Sequence, residues 1–158
     1  MEMVRQLVPD SLWELFLRVM PEAPVRPQGG GRRRADDRGV LAAILFVATS
    51  GCTCRQLPPR FGASWQTAHR RFTHWTEARV WAKLHRIILD ELGATGELDW
   101  SRCAIDSVSG RHRWVVERTV SWLAGCRRLH RRYERKAEHF LAFVGIAATL
   151  ICHRRLTN

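Results

Sequence analysis

Apolar positions recur at helical spacing through most of the chain, and the breaks between these stretches are marked by proline, glycine or a capping residue. Leu12, Leu15, Phe16 and Val19 share one face of a segment opening at Asp10-Ser11, where Ser11-x-x-Glu14 has capping-box spacing, and Pro21, Pro24 and Pro27 stop it. Gln28 to Arg34 reads as a basic loop. Asp36 and Asp37 offer caps for a nearly all-apolar helix from Val40 to Thr49 that ends at Gly51, the pattern of a buried spine. Thr53-x-x-Gln56 is a second capping-box spacing, opening a short helix limited by Pro58-Pro59. Gly62 then supplies a sharp turn before Ser64 caps the following helix, and helix, glycine turn, helix is the outline of a DNA-reading helix-turn-helix. Val80, Trp81, Leu84, Ile87, Ile88 and Leu92 define a further amphipathic helix ended by Gly93 and Gly96.

The pattern changes after residue 96. Arg102 to Asp106 is the one convincing strand, short and apolar, with no second strand to pair with. From His112 to about Cys126 the helical spacing returns, with Val115, Thr119, Trp122, Leu123 and Cys126 on one side and Arg113, Glu117, Ser121 and Ala124 on the other. The final helix, about Glu138 to Arg155, is apolar nearly all round and needs partners on several sides. Its uncharged core, residues 140–152, falls short of the roughly 20 residues a membrane span requires, so a buried helix is expected and no membrane partner. If Trp122, Leu123, Phe140, Phe143 and Ile146 do not pack on each other, they offer an apolar surface for association. The expected class is mainly α, with a self-sufficient N-terminal helical bundle.

Charge adds a partner to this picture. Twenty-six basic residues face 15 acidic ones, a net charge of +11, which favours a polyanion and first of all double-stranded DNA. All the basic residues but Lys83 and Lys136 are arginine, whose guanidinium forks onto phosphates and guanine edges. A GC-rich coding genome would give the same bias without any DNA contact. Residues 107–158 carry 11 Arg and Lys against 3 Asp and Glu, making the C-terminal third the stronger attractor. Five cysteines without C-x-x-C spacing indicate neither a disulfide framework nor a structural zinc site, and reduced cytoplasmic thiols are expected. The N-terminal run is amphipathic, unlike the continuous apolar stretch of a secretory signal.

Two segments carry the candidate contacts. In the helix after Ser64, the residues Trp65, Ala68, Phe72 and Trp75 make a packing face, and Gln66, Thr67, Arg70 and Thr73 point away from it. Gln66 and Arg70 suit base edges, and Thr67 and Arg71 suit phosphate. The plainer alternative is an amphipathic surface helix with a solvated basic side. The second segment, Arg127 to Lys136, offers Arg127, Arg128, Arg131 and Arg132 for phosphate, with Tyr133 as a minor stacking surface.

These blocks together resemble the bacterial insertion-sequence transposases of the DDE class, in the group typified by insertion sequence five. The run from Leu41 to Gly62, continuing through Thr67 to Trp75, is similar to that group's helical DNA-binding segment. Ala104-Ile105-Asp106-Ser107 resembles its first catalytic strand, and Arg113 to Thr119, with Arg127-Arg128-Leu129 and Arg132-Tyr133-Glu134-Arg135, its glutamate helix and tail. The resemblance implies an RNase H-like catalytic domain, in which three carboxylates hold two Mg²⁺ or Mn²⁺ ions for phosphoryl transfer. It places Asp106 and Glu117 at the first and last metal-ligand positions, and Arg113 at the arginine of the Tyr-x2-Arg-x3-Glu-x6-Lys signature. Gly110 and Ala124 stand where that signature has tyrosine and lysine.

The larger departure is a gap: no acidic residue lies between Asp106 and Glu117, so the central aspartate has no counterpart. The implied layout is a DNA-binding domain over 1–96, a remnant of the first catalytic strand and its junction over 97–110, and the C-terminal helices of an internally deleted RNase H-like domain over 111–158. Such a chain would bind insertion-sequence DNA with its strand-transfer chemistry lost and its metal ions not tightly held. The alternative is a non-enzymatic helix-turn-helix regulator or inhibitor of transposition. Partners implied are the element's DNA ends and either a second copy or a full-length transposase.

Overall fold

The computed structural model describes residues 2–22, 34–96, 120–131 and 133–157. Among the described residues, the helices with both ends described are α1 (Glu2–Leu7), α2 (Asp10–Leu17), α3 (Asp37–Ser50), α4 (Trp65–Glu77), α5 (Val80–Ala94) and α6 (Ala137–Leu156). Tight 3-10 turns occur at Cys54–Gln56, Pro59–Phe61 and Arg127–His130. Among the described residues there is no strand, and the fold is mainly helical. The strand expected at Arg102–Asp106 and most of the helix expected from His112 lie outside the described residues; residues 120–124 are helical.

Helix α3 is the spine its composition predicts. Asp36 caps it, accepting a hydrogen bond from the Gly39 amide at 2.8 Å, and every residue from Gly39 to Leu45 is buried. Gly51 ends it in the left-handed conformation at φ 72°. That position excludes a side chain twice over, because a Cβ there would also stand 2.8 Å from the Cβ of Arg127. Gly39 has its own reason: a Cβ would meet the Phe61 carbonyl oxygen at 2.7 Å, so α3 and the Pro59–Phe61 turn approach through the glycine.

Two capping expectations part company. Thr53 and Gln56 do form a capping box, but it starts only the single 3-10 turn Cys54–Gln56 and not a full helix, since Pro58 and Pro59 follow at once and cannot donate. The Ser11-x-x-Glu14 box is not formed. Helix α2 is preceded by Pro9 at its N-cap, and Ser11 Oγ lies 3.1 Å from His153 Nε2 on α6, a partner 142 positions away.

An aromatic cluster joins the helices. Phe16 of α2 meets Trp75 of α4 edge-on at 4.9 Å, and Trp75 meets Trp81 of α5 at 6.0 Å. Phe72 stacks on Phe143 of α6 at 4.7 Å. Burying each such ring contributes roughly 1.5–3 kcal/mol, and Trp75 and Phe16 are wholly buried. Trp81 satisfies its indole N–H on Thr76 Oγ1 at 3.0 Å.

Helix α6 finds the partners its sequence leaves open. It lies chiefly along α5, and also contacts α3, α4 and the Arg127–His130 turn. Ala142, Phe143 and Ile146 enter the same core as residues of α2 to α5. By length and composition alone α6 could cross a membrane; in the fold its Phe143–Ile146 side is a core surface, with Gly145 letting Trp81 approach to 3.5 Å of a Cβ position. Of the residues read as either packing on each other or offering a surface for association, Phe143 and Ile146 are buried against the bundle.

Candidate nucleic-acid interface

Helix α4 is anchored before it is exposed. Ser64 caps it by accepting from the Thr67 amide at 3.3 Å, and Ala68, Phe72 and Trp75 are buried between α2, α5 and α6. Trp65, expected to pack with them, is only half-buried and carries the Arg55 guanidinium at 5.7 Å from its ring centre. Gln66, His69, Arg70 and His74 are exposed. Gln66 and Arg70 therefore stand in solvent on a fixed helix, as base contacts would require. Thr67 is half-buried, and its hydroxyl lies 3.0 Å from Ser64 Oγ.

Arg71 is placed differently from its expectation. Its Nη1 lies 2.8 Å from Asp37 Oδ1, with only 12% of its side chain exposed, and Arg34 binds the same carboxylate at 3.0 Å. Burial lowers its pKa first and the Asp37 charge opposes that shift. It ties α4 to the start of α3 instead of waiting for phosphate.

The second basic segment shows the same division. Arg127 and Arg131 are exposed, as are Arg135 and Lys136. Arg128 is not: its Nε donates to Glu134 Oε1 at 2.7 Å, and the two side chains are 7% and 4% exposed. Its Nη1 donates to the Cys52 carbonyl at 2.6 Å, and its guanidinium lies 4.5 Å from the Tyr133 ring centre. Expected on phosphate, Arg128 instead pins the loop after α3 to the segment leading into α6. Arg132 lies outside the described residues.

Tertiary structure brings part of α4 and part of the second segment to one cleft. His69 and Phe72 of α4 and Tyr133, Arg135, Lys136 and His139 line the same cavity of about 320 Å³. Neither Arg55 nor Arg60, both exposed beside the turn that leads into α4, figures among the residues the sequence singles out. The signal for Arg55 was its place before Trp65, a ring it could cover once the turn closed.

Asp106, Arg113 and Glu117 lie outside the described residues, so the carboxylate pair has no geometry to weigh. Among the described residues no three His, Cys, Asp or Glu side chains come together to hold a metal ion.

What the fold defines is a small helical domain whose arginines are divided between interior contacts and solvent. The chain belongs to the IS4/5 transposase family. Residues 8–85 match the family described as "Putative transposase of IS4/5 family (DUF4096)". The chain is similar to "Insertion element IS402 uncharacterized 16.2 kDa protein" of Burkholderia cepacia, 38% identical over 111 residues that cover 69% of this chain and 76% of that protein. It is also similar to "Putative transposase for insertion sequence element IS402" of the same organism, 33% identical over 122 residues. That alignment covers 73% of this chain but only 58% of the relative's length. No solved structure matches the chain.

Proposed function

We propose that this chain binds the double-stranded DNA ends of its insertion sequence through α4 and the Arg127–Lys136 segment, and that it does not carry out strand transfer by itself. The observation that carries the binding reading is that α4, capped by Ser64 and packed through Ala68, Phe72 and Trp75, holds Gln66 and Arg70 in solvent, while a second segment exposes Arg127, Arg131, Arg135 and Lys136. Gln66 and Arg70 read base edges, while Arg127 and Arg131 set the register on phosphate. Arg71 and Arg128 take no part in this contact, because their guanidiniums are committed inside the fold. Thr67 contributes at the helix start, and Arg132 remains a phosphate candidate by its place in the sequence.

The chemistry is the inherited part. Asp106 and Glu117 would supply two of the carboxylates that a Mg²⁺ or Mn²⁺ pair needs, with Arg113 four positions before the glutamate, and the sequence between them holds no third. A cleavage assay on end-containing DNA with either metal should show no product; metal-dependent cutting abolished by Asp106→Ala would refute the defect. Binding is tested by footprinting the element's terminal repeats. Protection that weakens on Arg70→Ala supports the reading, and equal affinity for random duplex sinks it.

A second reading has its own observation. The short IS402 relative is close in mass, 16.2 kDa against 18.3 kDa, and the match spans most of it. A chain of this size that occupies terminal repeats without cutting would act as a regulator or inhibitor of a full-length cytoplasmic transposase, alone or as an oligomer. Adding it to a transposition reaction driven by the intact enzyme should lower the yield; no change at saturating occupancy would exclude that role.

A further inference from the structure

The cleft shared by α4 and the segment before α6 has a construction that duplex binding does not explain. Its floor is apolar, formed where Phe72 and Phe143 stack at 4.7 Å. Tyr133 makes a wall, with 43% of its surface exposed and one ring face under the Arg128 guanidinium. The rim is cationic. Arg135 and Lys136 are exposed there, and the His69 and His139 rings meet at 5.9 Å. Among the described residues lining the cavity, Glu134 is the one carboxylate, and Arg128 holds it at 2.7 Å, so the charge these residues leave to a ligand is positive.

Size and chemistry then narrow the occupant. A volume of about 320 Å³ sits at the small end of the range of ligand pockets, about 300–1,000 Å³, and is far too small to admit a duplex. Arg135 and Lys136 supply point and forked donors for a phosphate, while an aromatic wall accepts any base because every base has a π-face. We propose that the cleft binds a nucleoside monophosphate group, its base against Tyr133 and the Phe72–Phe143 floor and its phosphate between Arg135, Lys136 and the His69–His139 pair. A free mononucleotide and the unpaired 5′-phosphorylated end of a strand present the same chemistry.

The histidines give the site a pH signature. Burial lowers the His139 pKa first; His69 across from α4 and the neighbouring Lys136 push it the same way, against Glu138 and Glu134. A phosphate dianion beside the His139 ring would favour its protonated form and raise its titration midpoint. Binding should therefore tighten as pH falls from neutral.

The test uses the full chain and three probes: inorganic phosphate, 5′-AMP, and a short single-stranded oligonucleotide with a 5′ phosphate. Affinity is read by calorimetry and the histidine ring protons by NMR titration. The expected result is that 5′-AMP or the oligonucleotide binds, raises the His139 midpoint, and loses at least about fivefold in affinity on Tyr133→Ala, with recovery in Tyr133→Phe. Arg135→Gln with Lys136→Gln should lose more. A preference for the oligonucleotide over 5′-AMP assigns the strand end as the source, and the reverse assigns the free nucleotide; either supports the site. Inorganic phosphate shifting His139 equally while Tyr133→Ala is silent would overturn the nucleotide assignment, as would no shift with any probe. Both negative results leave duplex binding untouched, since that is read separately on terminal repeats with Arg70→Ala.

Discussion

Arg70 and Arg71 sit side by side on α4, and Arg127 and Arg128 side by side in the turn before α6, yet within each pair the two side chains have opposite fates. Arg70 and Arg127 are in solvent; Arg71 holds Asp37 and Arg128 holds Glu134 and the Cys52 carbonyl. The two regions also differ from each other. Arg71 keeps partial exposure and shares its carboxylate with Arg34, whereas Arg128 and Glu134 are almost fully enclosed. An arginine-rich run is thus not a uniform phosphate-binding surface. Some of its charge is internal mortar, and only the remainder is available to a polyanion.

The sharpest way to break this comparison is Arg128→Ala. Removing it leaves Glu134 buried without its cation and frees the loop after α3, and the expected loss is roughly 3–5 kcal/mol in denaturant unfolding. A loss under about 1 kcal/mol would mean the pair is solvated after all. Replacing both partners, Arg128→Met with Glu134→Leu, should recover most of the stability, because no buried charge then remains.

Gly51→Ala comes next, at about 1–3 kcal/mol, since the left-handed backbone and the Arg127 Cβ both oppose a side chain. Gly62→Ala is its control. That glycine has the same sign of φ, 69°, but open space around it, and should cost no more than about 1 kcal/mol. Equal effects would show that the approach of Arg127 to the end of α3 is not constraining.

On α4 the paired substitutions should separate stability from binding. Arg71→Ala is expected to cost about 1–2 kcal/mol, moderated because Arg34 still reaches Asp37. Arg70→Ala should lie within about 0.5 kcal/mol of the parent in unfolding while weakening protection of terminal-repeat DNA. If Arg70→Ala unfolds the protein or Arg71→Ala alone loses DNA, the division is wrong.

The smallest effect is a pH dependence. Burial lowers the pKa of His85, His139 and His153 below the ordinary 6.5, so each binds a proton more readily in the unfolded chain. Stability is then fully present above about pH 6.5 and declines as pH falls through the lower folded values. Thermal midpoints should drop between pH 7.5 and pH 5. His153→Gln, which removes the ring that pairs with Ser11 but keeps a polar end, should flatten the decline; an unchanged slope would exclude His153 as a contributor.

Much of the helical order was legible because it is written locally. The proline and glycine breaks, the Asp36 and Ser64 caps and the packing faces of α2, α4 and α5 need only a few neighbouring residues to be recognised. The family was legible too, from blocks such as Leu41 to Gly62 that keep their order along the chain. One spacing alone was an uneven guide: the Thr53–Gln56 box formed, whereas the Ser11 hydroxyl went to His153 and not to its own helix.

The sequence by itself determined most of the breaks between helices and that the chain is strongly cationic, because capping, backbone restriction and net charge are properties of short segments and of sums. Only the tertiary structure decided what covers α6, which member of each arginine pair is internal, and that His69 and Lys136 share a cleft. A helix apolar on every side carries no mark of which neighbour it will meet. A guanidinium's role is likewise fixed by which acceptors arrive beside it, as Asp37 does for Arg71 and the Cys52 carbonyl for Arg128, and that is settled only when the helices pack.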